Sequence, residues 1–377
     1  MASAPYASAP YGTPYTGPRQ TGARYSDAGV YRAPKEPAPA DTPAPASTRP
    51  AIPPSASARR PLWWSGVAAG LAWLAVGVLT WLLPNAPAGF TEWNYTVESG
   101  IATTAGAGLL LALALAAPWL GAALDRLRPA GLWLIALALF TGAWQLLTAK
   151  YGVLPTPFFA PPQSLAEVYI DDWARLSDSA WHSLRLLGHG FLVGAGVGFL
   201  TGVAIGWSRA VGYWVHPLIR FIGPIPASAL LPLAFFVFPS SYAAAVFLIA
   251  LATGFPVAVL TWSGVAGVNR NYYDVARTLG ASQWFLVLRV AIPAALPQVF
   301  VGLFMGLGGA FSILVTAEMM GVKAGLGWYL TWAQGWAAYT NMYAALIVMA
   351  LVCSGLITLL FAVRDRVLSW QKGTVKW

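Results

Sequence analysis

Eight long apolar segments, separated by short charged stretches, constrain the fold of this chain more than any other feature. Each is close to the ~20 apolar residues that cross the ~30 Å hydrocarbon core of a bilayer as a helix. Only 9% of the 377 residues are charged and 58% are hydrophobic, too few charges to cover a soluble domain. The sequence therefore predicts an all-α integral membrane protein, with spans at about 62–83, 101–123, 131–149, 184–206, 215–238, 241–264, 296–318 and 342–363.

The first 58 residues have a different composition from the rest of the chain. They are rich in Pro, Ala, Ser and Tyr and have almost no Leu, Ile, Val or Phe, so they cannot bury a core. We expect a disordered cytoplasmic tail at 1–58, two additional transmembrane helices within 59–129 and a six-span core at 130–370.

The charges in the loops predict the orientation of the chain, because Lys and Arg collect on the cytoplasmic side of a membrane. The basic loops alternate with acidic loops that contain Glu92 and Glu98, and then Asp171 and Asp172. An eight-span chain with both termini in the cytoplasm satisfies this alternation, and it places 265–295 in the cytoplasm. The net charge of +9 is then explained by topology in the cell inner membrane, and nucleic-acid binding is not expected. The basic positions are Arg59, Arg60, Arg126, Arg128, Arg209, Arg270, Arg277, Arg289, Arg364, Arg366, Lys372 and Lys376.

The residues that hold metals or nucleotides are scarce. Cys353 is the single cysteine, and none of the three histidines has the spacing of a zinc site. The sequence also lacks the G-x-x-x-x-G-K-[ST] loop that cradles ATP phosphates. We therefore expect no metal, no cofactor and no catalytic residues in this chain.

Five glycines at a spacing of four follow one face of the fourth span. Such a small-residue ridge lets a neighbouring backbone approach closely. Packing within one subunit and packing between subunits are equally compatible with it. The glycines are Gly190, Gly194, Gly198, Gly202 and Gly206.

The fifth span is interrupted by prolines, among them Pro224 and Pro226. It must be kinked or partly unwound, and irregular backbone at membrane depth occurs only where protein buries it or it lines a wet cavity. A translocation path and a Pro-kinked packing helix remain open as alternatives.

Two charged residues inside the predicted spans are candidates for a path or gate, because intramembrane charges are costly. Arg220 attracts an anion along a path or, the alternative we favour from sequence, extends to the cytoplasmic interface. Glu318 is expected to brace a gate or loop rather than to contact a solute.

Residues 269–297 are amphipathic between two apolar spans. Tyr272, Val275, Ala276 and Leu279 recur at helical spacing and form one apolar face. Gly280 follows as the expected residue after a helix end, Ser282 is a candidate N-cap for a second helix at 283–290, and Pro293 is expected to stop that helix. The pattern predicts two short helices on the membrane surface that present a face to a partner's groove.

The same stretch carries a family resemblance. Asp274-Val275-Ala276, then Gly280, then Val290-Ala291-Ile292-Pro293 resembles the E-A-A-x3-G-x9-I-x-L-P loop of binding-protein-dependent ABC importer permeases. The phrases GPIPASALLPLAFF, ARTLGAS…IPAALP and AEMMG…GLGWYL are similar to the nitrate/sulfonate/taurine-type subfamily. The resemblance covers about 130–370 and departs from the motif at Asp274, Val275, Val290 and Ile292.

The resemblance implies a type I importer fold (MetI-like) with a transmembrane type-1 domain at about 178–366. In this family the loop is a coupling helix that docks on a separate ATPase subunit, so Asp274, Ala276 and Gly280 are the implied coupling positions, with Tyr272, Val275 and Leu279 on the apolar face. The implied partners are that ATPase, an external substrate-binding protein, a second copy of the chain and membrane lipid. The implied substrate is a small solute such as nitrate, a sulfonate, taurine or a related anion.

Two other functions are compatible with parts of the sequence. A gradient-driven secondary transporter needs a chain of intramembrane carboxylates or histidines, and the spans offer little besides Glu318. A membrane scaffold would recruit partners through the Tyr/Pro-rich tail.

Overall fold

The computed structural model describes residues 62–87, 94–120, 127–223 and 225–371, and every regular element within them is helical. The predicted tail at 1–58 lies outside these residues. The helices are α1 (Trp64–Leu82), α2 (Thr96–Leu120), α3 (Gly131–Gln145), α4 (Pro162–Asp171), α5 (Trp173–Trp207), α6 (Arg209–Ile222), α7 (Leu231–Val237), α8 (Ser241–Ala266), α9 (Arg270–Thr278), α10 (Ile292–Met320), α11 (Leu326–Gly335) and α12 (Tyr339–Val367).

Seven helical segments of the described residues are long and apolar enough to cross a membrane. They match seven of the eight predicted spans. The fifth predicted span is not one helix, because α6 and the segment Ala227–Val237 meet at an angle of 84°. The break at 223–226 includes Pro226, which has no backbone N–H to continue a helix.

Three regions outside the predicted spans are helical in the structure. The helix that contains the fourth predicted span begins at Trp173, ahead of the predicted 184, and includes Asp178. The loop before the last span contains α11, which carries Trp328 and Trp332. Pro293 does not end a helix: Gln283–Phe285 continues through a π-helical turn, Leu286–Ala291, into α10. A proline at the start of α10 fits because this change of hydrogen-bond pattern lies directly before it.

Helix α8 is the centre of the core and packs against α5, α7 and α10. The glycine ridge of α5 faces α8 within the same chain, so the packing alternative is the one the structure supports. A Cβ on Gly198 would lie 2.5 Å from the Gly254 carbonyl oxygen and 2.9 Å from its Cα, and one on Gly202 would lie 2.6 Å from the Ala258 oxygen. The ridge is thus a backbone-to-backbone contact that side chains would prevent.

The two additional helices, α1 and α2, pack on each other, and α1 packs on α3. Trp73 Nε1 donates to the Leu134 carbonyl at 3.1 Å. At the far end, the buried Lys150 Nζ donates to the carbonyls of Thr80 and Leu83 at 2.5 and 2.7 Å and to Asn85 Oδ1 at 2.7 Å. Lys150 thereby supplies donors to the last carbonyls of α1, which have no partner within the helix.

Candidate functional site

Helix α9 stands out as a short polar helix between two membrane spans, α8 and α10. Asn269 caps its start by accepting the Asn271 N–H at 3.0 Å. At its end the Gly280 N–H donates to the Arg277 carbonyl and the Ala281 N–H donates to the Ala276 carbonyl, at 2.9 and 3.0 Å. This pair of bonds is a Schellman motif, and it requires the φ of 83° that Gly280 adopts.

One face of α9 is apolar and open. Tyr272, Val275 and Leu279 are 63%, 61% and 83% exposed. Their spacing of three and four places them in one row along the nine-residue helix and its C-cap, Leu279. An apolar row on an otherwise charged helix is the form of an interaction surface.

The flanks of this row carry the remaining predicted coupling residues. Asp274 Oδ1 lies 3.5 Å from Arg277 Nη1 on the exposed side, an i,i+3 pair. Ala276 is half-buried, on the side nearer the body of the protein. The structure therefore brings all six predicted coupling positions together on α9 and its C-terminal turn.

Tyr273, which the sequence analysis missed, anchors α9 to the membrane helices. Its ring lies 5.9 Å from that of Trp207 at the end of α5. It packs beside a cluster formed by Val265, Ala291 and Ala295, and burial raises the pKa of its hydroxyl. One sequence feature indicated this role: Tyr273 is next to Tyr272, and because adjacent residues do not share a helix face, the two rings must point to different sides of α9.

The second of the two predicted short helices begins where expected. Ser282 Oγ accepts the Phe285 N–H at 3.3 Å, which starts the helix that continues into α10. Only residues 279–281 separate α9 from Ser282, the N-cap of the helix that continues into α10.

The predicted path residues are not part of this surface. Pro224 lies outside the described residues, and Pro226 precedes a short 3₁₀ turn after the break between α6 and α7. Arg220 is exposed one turn before that break. The structure thus separates the candidate path from the α9 surface.

Glu318 lies at the other end of α10 and is 1% exposed. Its carboxylate accepts the Ser183 hydroxyl at 2.7 and 2.9 Å and the Gly327 N–H at 2.8 Å. Ser183 Oγ also accepts the Leu326 N–H at 2.8 Å. A Cβ on Gly325, which has a φ of 99°, would collide with this carboxylate. The arrangement ties α5, α10 and α11 together, and its enclosure is unlike that of a solute site.

The family profile of binding-protein-dependent transport system inner membrane components matches residues 194–371. That range includes α6 to α12, the α9 surface and the break after α6. Within the described residues no three His, Cys, Asp or Glu side chains are grouped to hold a metal ion.

Several curated proteins are similar to this chain. A probable ABC transporter permease protein of Brucella abortus is 31% identical over 248 residues, which are 66% of this chain and 98% of the relative. The nitrate import permease protein NrtB of Synechococcus elongatus is 28% identical over 65% of this chain and 89% of its own length. The bicarbonate transport system permease protein CmpB of the same organism is 31% identical over 50% of this chain and 65% of its own length. With a relative matched over nearly its whole length and the family profile on residues 194–371, the chain belongs to the membrane permeases of binding-protein-dependent ABC importers.

Proposed function

We propose that this chain forms the translocation path of an importer for a small solute and that α9 docks on a separate ATPase subunit. The observation that carries the proposal is the exposed apolar row Tyr272, Val275 and Leu279 on a short helix between two spans. Docking would remove this row from water, and each fully buried side chain of this size contributes about 1.5–3 kcal/mol.

The charges of the loops support one orientation of the chain in the membrane. Arg209, Arg270 and Arg277 lie at the end of the bundle where α9 lies, whereas Glu167, Asp171 and Asp178 lie on α4 and the start of α5 at the opposite ends of the spans. The positive-inside rule then supports a cytoplasmic position for α9 and for both termini.

In this proposal another chain binds the ATP, since this sequence has no phosphate-binding loop. One α9 surface per chain and two ATPase subunits per importer would make the permease a homodimer. A substrate-binding protein would deliver the solute on the opposite side. Nitrate, sulfonates, taurine and related anions such as bicarbonate are the solute candidates.

Co-purification from membranes tests the docking. The tagged chain is expressed with a candidate ABC ATPase subunit from the same organism, and the amount of ATPase recovered in detergent is measured. We expect stoichiometric recovery from the unaltered chain and strong loss when Tyr272, Val275 and Leu279 are all changed to Ser. Trp336→Ser, which removes an exposed aromatic residue after α11, is the control and should leave recovery unchanged.

Two results would contradict the proposal. One is full ATPase recovery with the triple variant at normal membrane levels. The other is solute uptake by liposomes that contain the purified chain alone with an ion gradient and no ATP, which would establish the gradient-driven alternative.

A further inference from the structure

Helix α6 carries a polar stripe in an otherwise apolar region. Arg209, Tyr213, His216 and Arg220 are spaced by four, three and four residues. At 100° per residue they fall within an arc of about 60° on one side of the helix. The opposite side is apolar, so α6 is strongly amphipathic.

Two side-chain contacts relate the level of α6 to that of α8. The His216 ring lies 4.1 Å from the Trp262 ring, and Gly223 is so close to Phe255 that a Cβ there would meet the ring. The two contacts are seven residues apart on each helix, a rise of about 10 Å on both, and their order is antiparallel.

These contacts also give the depth of the stripe. Helix α8 has 26 residues and is about 39 Å long, and Phe255 is near its midpoint. The break after Gly223 is therefore close to the middle of the membrane. Arg220, one turn before it, is level with a point about 12 Å inside the end of α8, within the hydrocarbon region.

The apolar side of α6 borders a cavity and is partly exposed, since Leu218 is 57% exposed. Val215, Leu218 and Ile222 line an apolar cavity of about 420 Å³ that α5 and α8 complete. The stripe points away from this cavity, and Tyr213 and Arg220 are exposed. Among the described residues no carboxylate lies within ion-pair distance of Arg209 or Arg220. An unpaired guanidinium at this depth is costly in lipid and is characteristic of a water-filled pathway.

We propose that this stripe lines the cytoplasmic half of the translocation path and that Arg220 binds the transported solute there, which makes that solute a small anion. The guanidinium offers a planar fork of N–H donors that matches the oxygens of a carboxylate, sulfonate or nitrate. Tyr213 and Arg209 continue the stripe towards the cytoplasm, so an anion released at the break passes further donors. The direction rests on the orientation given under the proposed function.

Cysteine labelling tests whether the stripe faces water. Cys353 is the only cysteine, so a Cys353→Ser background permits single-cysteine variants. The stripe variants are Tyr213→Cys and Arg220→Cys. Their controls are Trp214→Cys and Phe221→Cys, at the same depths, about 100° round the helix and equally exposed in the isolated chain.

The reagent is a membrane-impermeant sulfonatoethyl methanethiosulfonate, applied to inside-out vesicles. It reacts with thiolates, which form in water and not in lipid. We expect labelling of both stripe cysteines and little labelling of either control. Equal labelling within each pair would overturn the water-facing path, and so would labelling of Tyr213→Cys together with a silent Arg220→Cys, the pattern of a helix that only touches the interface.

A charge comparison tests the anion. The labelling rate of Tyr213→Cys by the sulfonate reagent is divided by its rate with the trimethylammonium analogue. Adding Arg220→Gln should lower this ratio about tenfold, the lower end of electrostatic focusing in a cleft. With Arg220→Lys the ratio of labelling rates should fall less than with Arg220→Gln. Arg366→Gln removes an exposed charge at the end of α12 and should leave the ratio unchanged.

Competition completes the test. Sodium nitrate should slow sulfonate labelling of Tyr213→Cys when Arg220 is present, relative to sodium gluconate at the same ionic strength, and should have no effect with Arg220→Gln. An unchanged ratio, or equal competition in both backgrounds, would show that Arg220 does not bind anions. Because labelling requires no ATPase, this proposal and the docking of α9 succeed or fail independently.

Discussion

Gly280 offers the sharpest test of the α9 surface, because its role is conformational and not steric. Its φ of 83° closes α9, whereas a Cβ at this position would meet no atom within 4 Å. Replacing it therefore perturbs the helix end without creating a collision in the fold.

The magnitude follows from the backbone. An L-residue other than Gly in the left-handed region costs about 1–2 kcal/mol, and a β-branched residue costs more. If the helix end relaxes instead, the two Schellman hydrogen bonds are lost, at about 1 kcal/mol each. Since 1.4 kcal/mol is a factor of ten in affinity, Gly280→Ala should weaken ATPase binding about tenfold.

The assay is a titration of the purified ATPase subunit onto the permease in lipid nanodiscs. We expect the Kd to rise about tenfold for Gly280→Ala and further for Gly280→Val. Gly280→Asn should remain close to the unaltered chain, because Asn tolerates the left-handed region. Gly308→Ala is the control, since that glycine lies inside α10 with nothing within 4 Å and has no positive φ.

Unaltered binding by Gly280→Val would refute this reasoning. It would mean that the partner does not require the end of α9 in this conformation. Weaker binding by Gly308→Ala of the same size would instead show a general effect of glycine replacement.

Three further changes test the packing of the fold. Gly198→Ala should lower the free energy of unfolding by about 1–3 kcal/mol, because the added Cβ meets the backbone of α8. Gly196→Ala on the same helix is the control, because its Cβ meets nothing within 4 Å, and thermal unfolding in detergent compares the two variants. Lys150→Met should free the end of α1 from three hydrogen bonds, and faster proteolysis between α1 and α2 with normal cleavage elsewhere would report it. Ser183→Ala should remove the hydroxyl that joins the Leu326 N–H to Glu318 and loosen α11, measured as faster amide hydrogen exchange in 325–335; unchanged exchange would show that the Gly327 contact suffices.

The sequence by itself determined the local features of this protein. The apolar segments located seven spans, because about twenty apolar residues are sufficient to cross a bilayer whatever surrounds them. Gly280 and Ser282 marked helix ends, because caps and left-handed turns depend on side chains within a few residues. The spacing from Asp274 to Pro293 indicated the family.

Only the tertiary structure decided the features that depend on distant partners. Glu318 meets Ser183 across 135 residues of sequence, and the glycine ridge faces α8, which no local pattern specifies. Pro293 continues a helix because a π turn precedes it, and Tyr273 is an anchor because Trp207 lies opposite it. The contacts of α6 with α8 set Arg220 level with an inner part of α8, which no local sequence pattern shows. Burial and depth are properties of packed neighbours, so they become visible only once the helices are assembled.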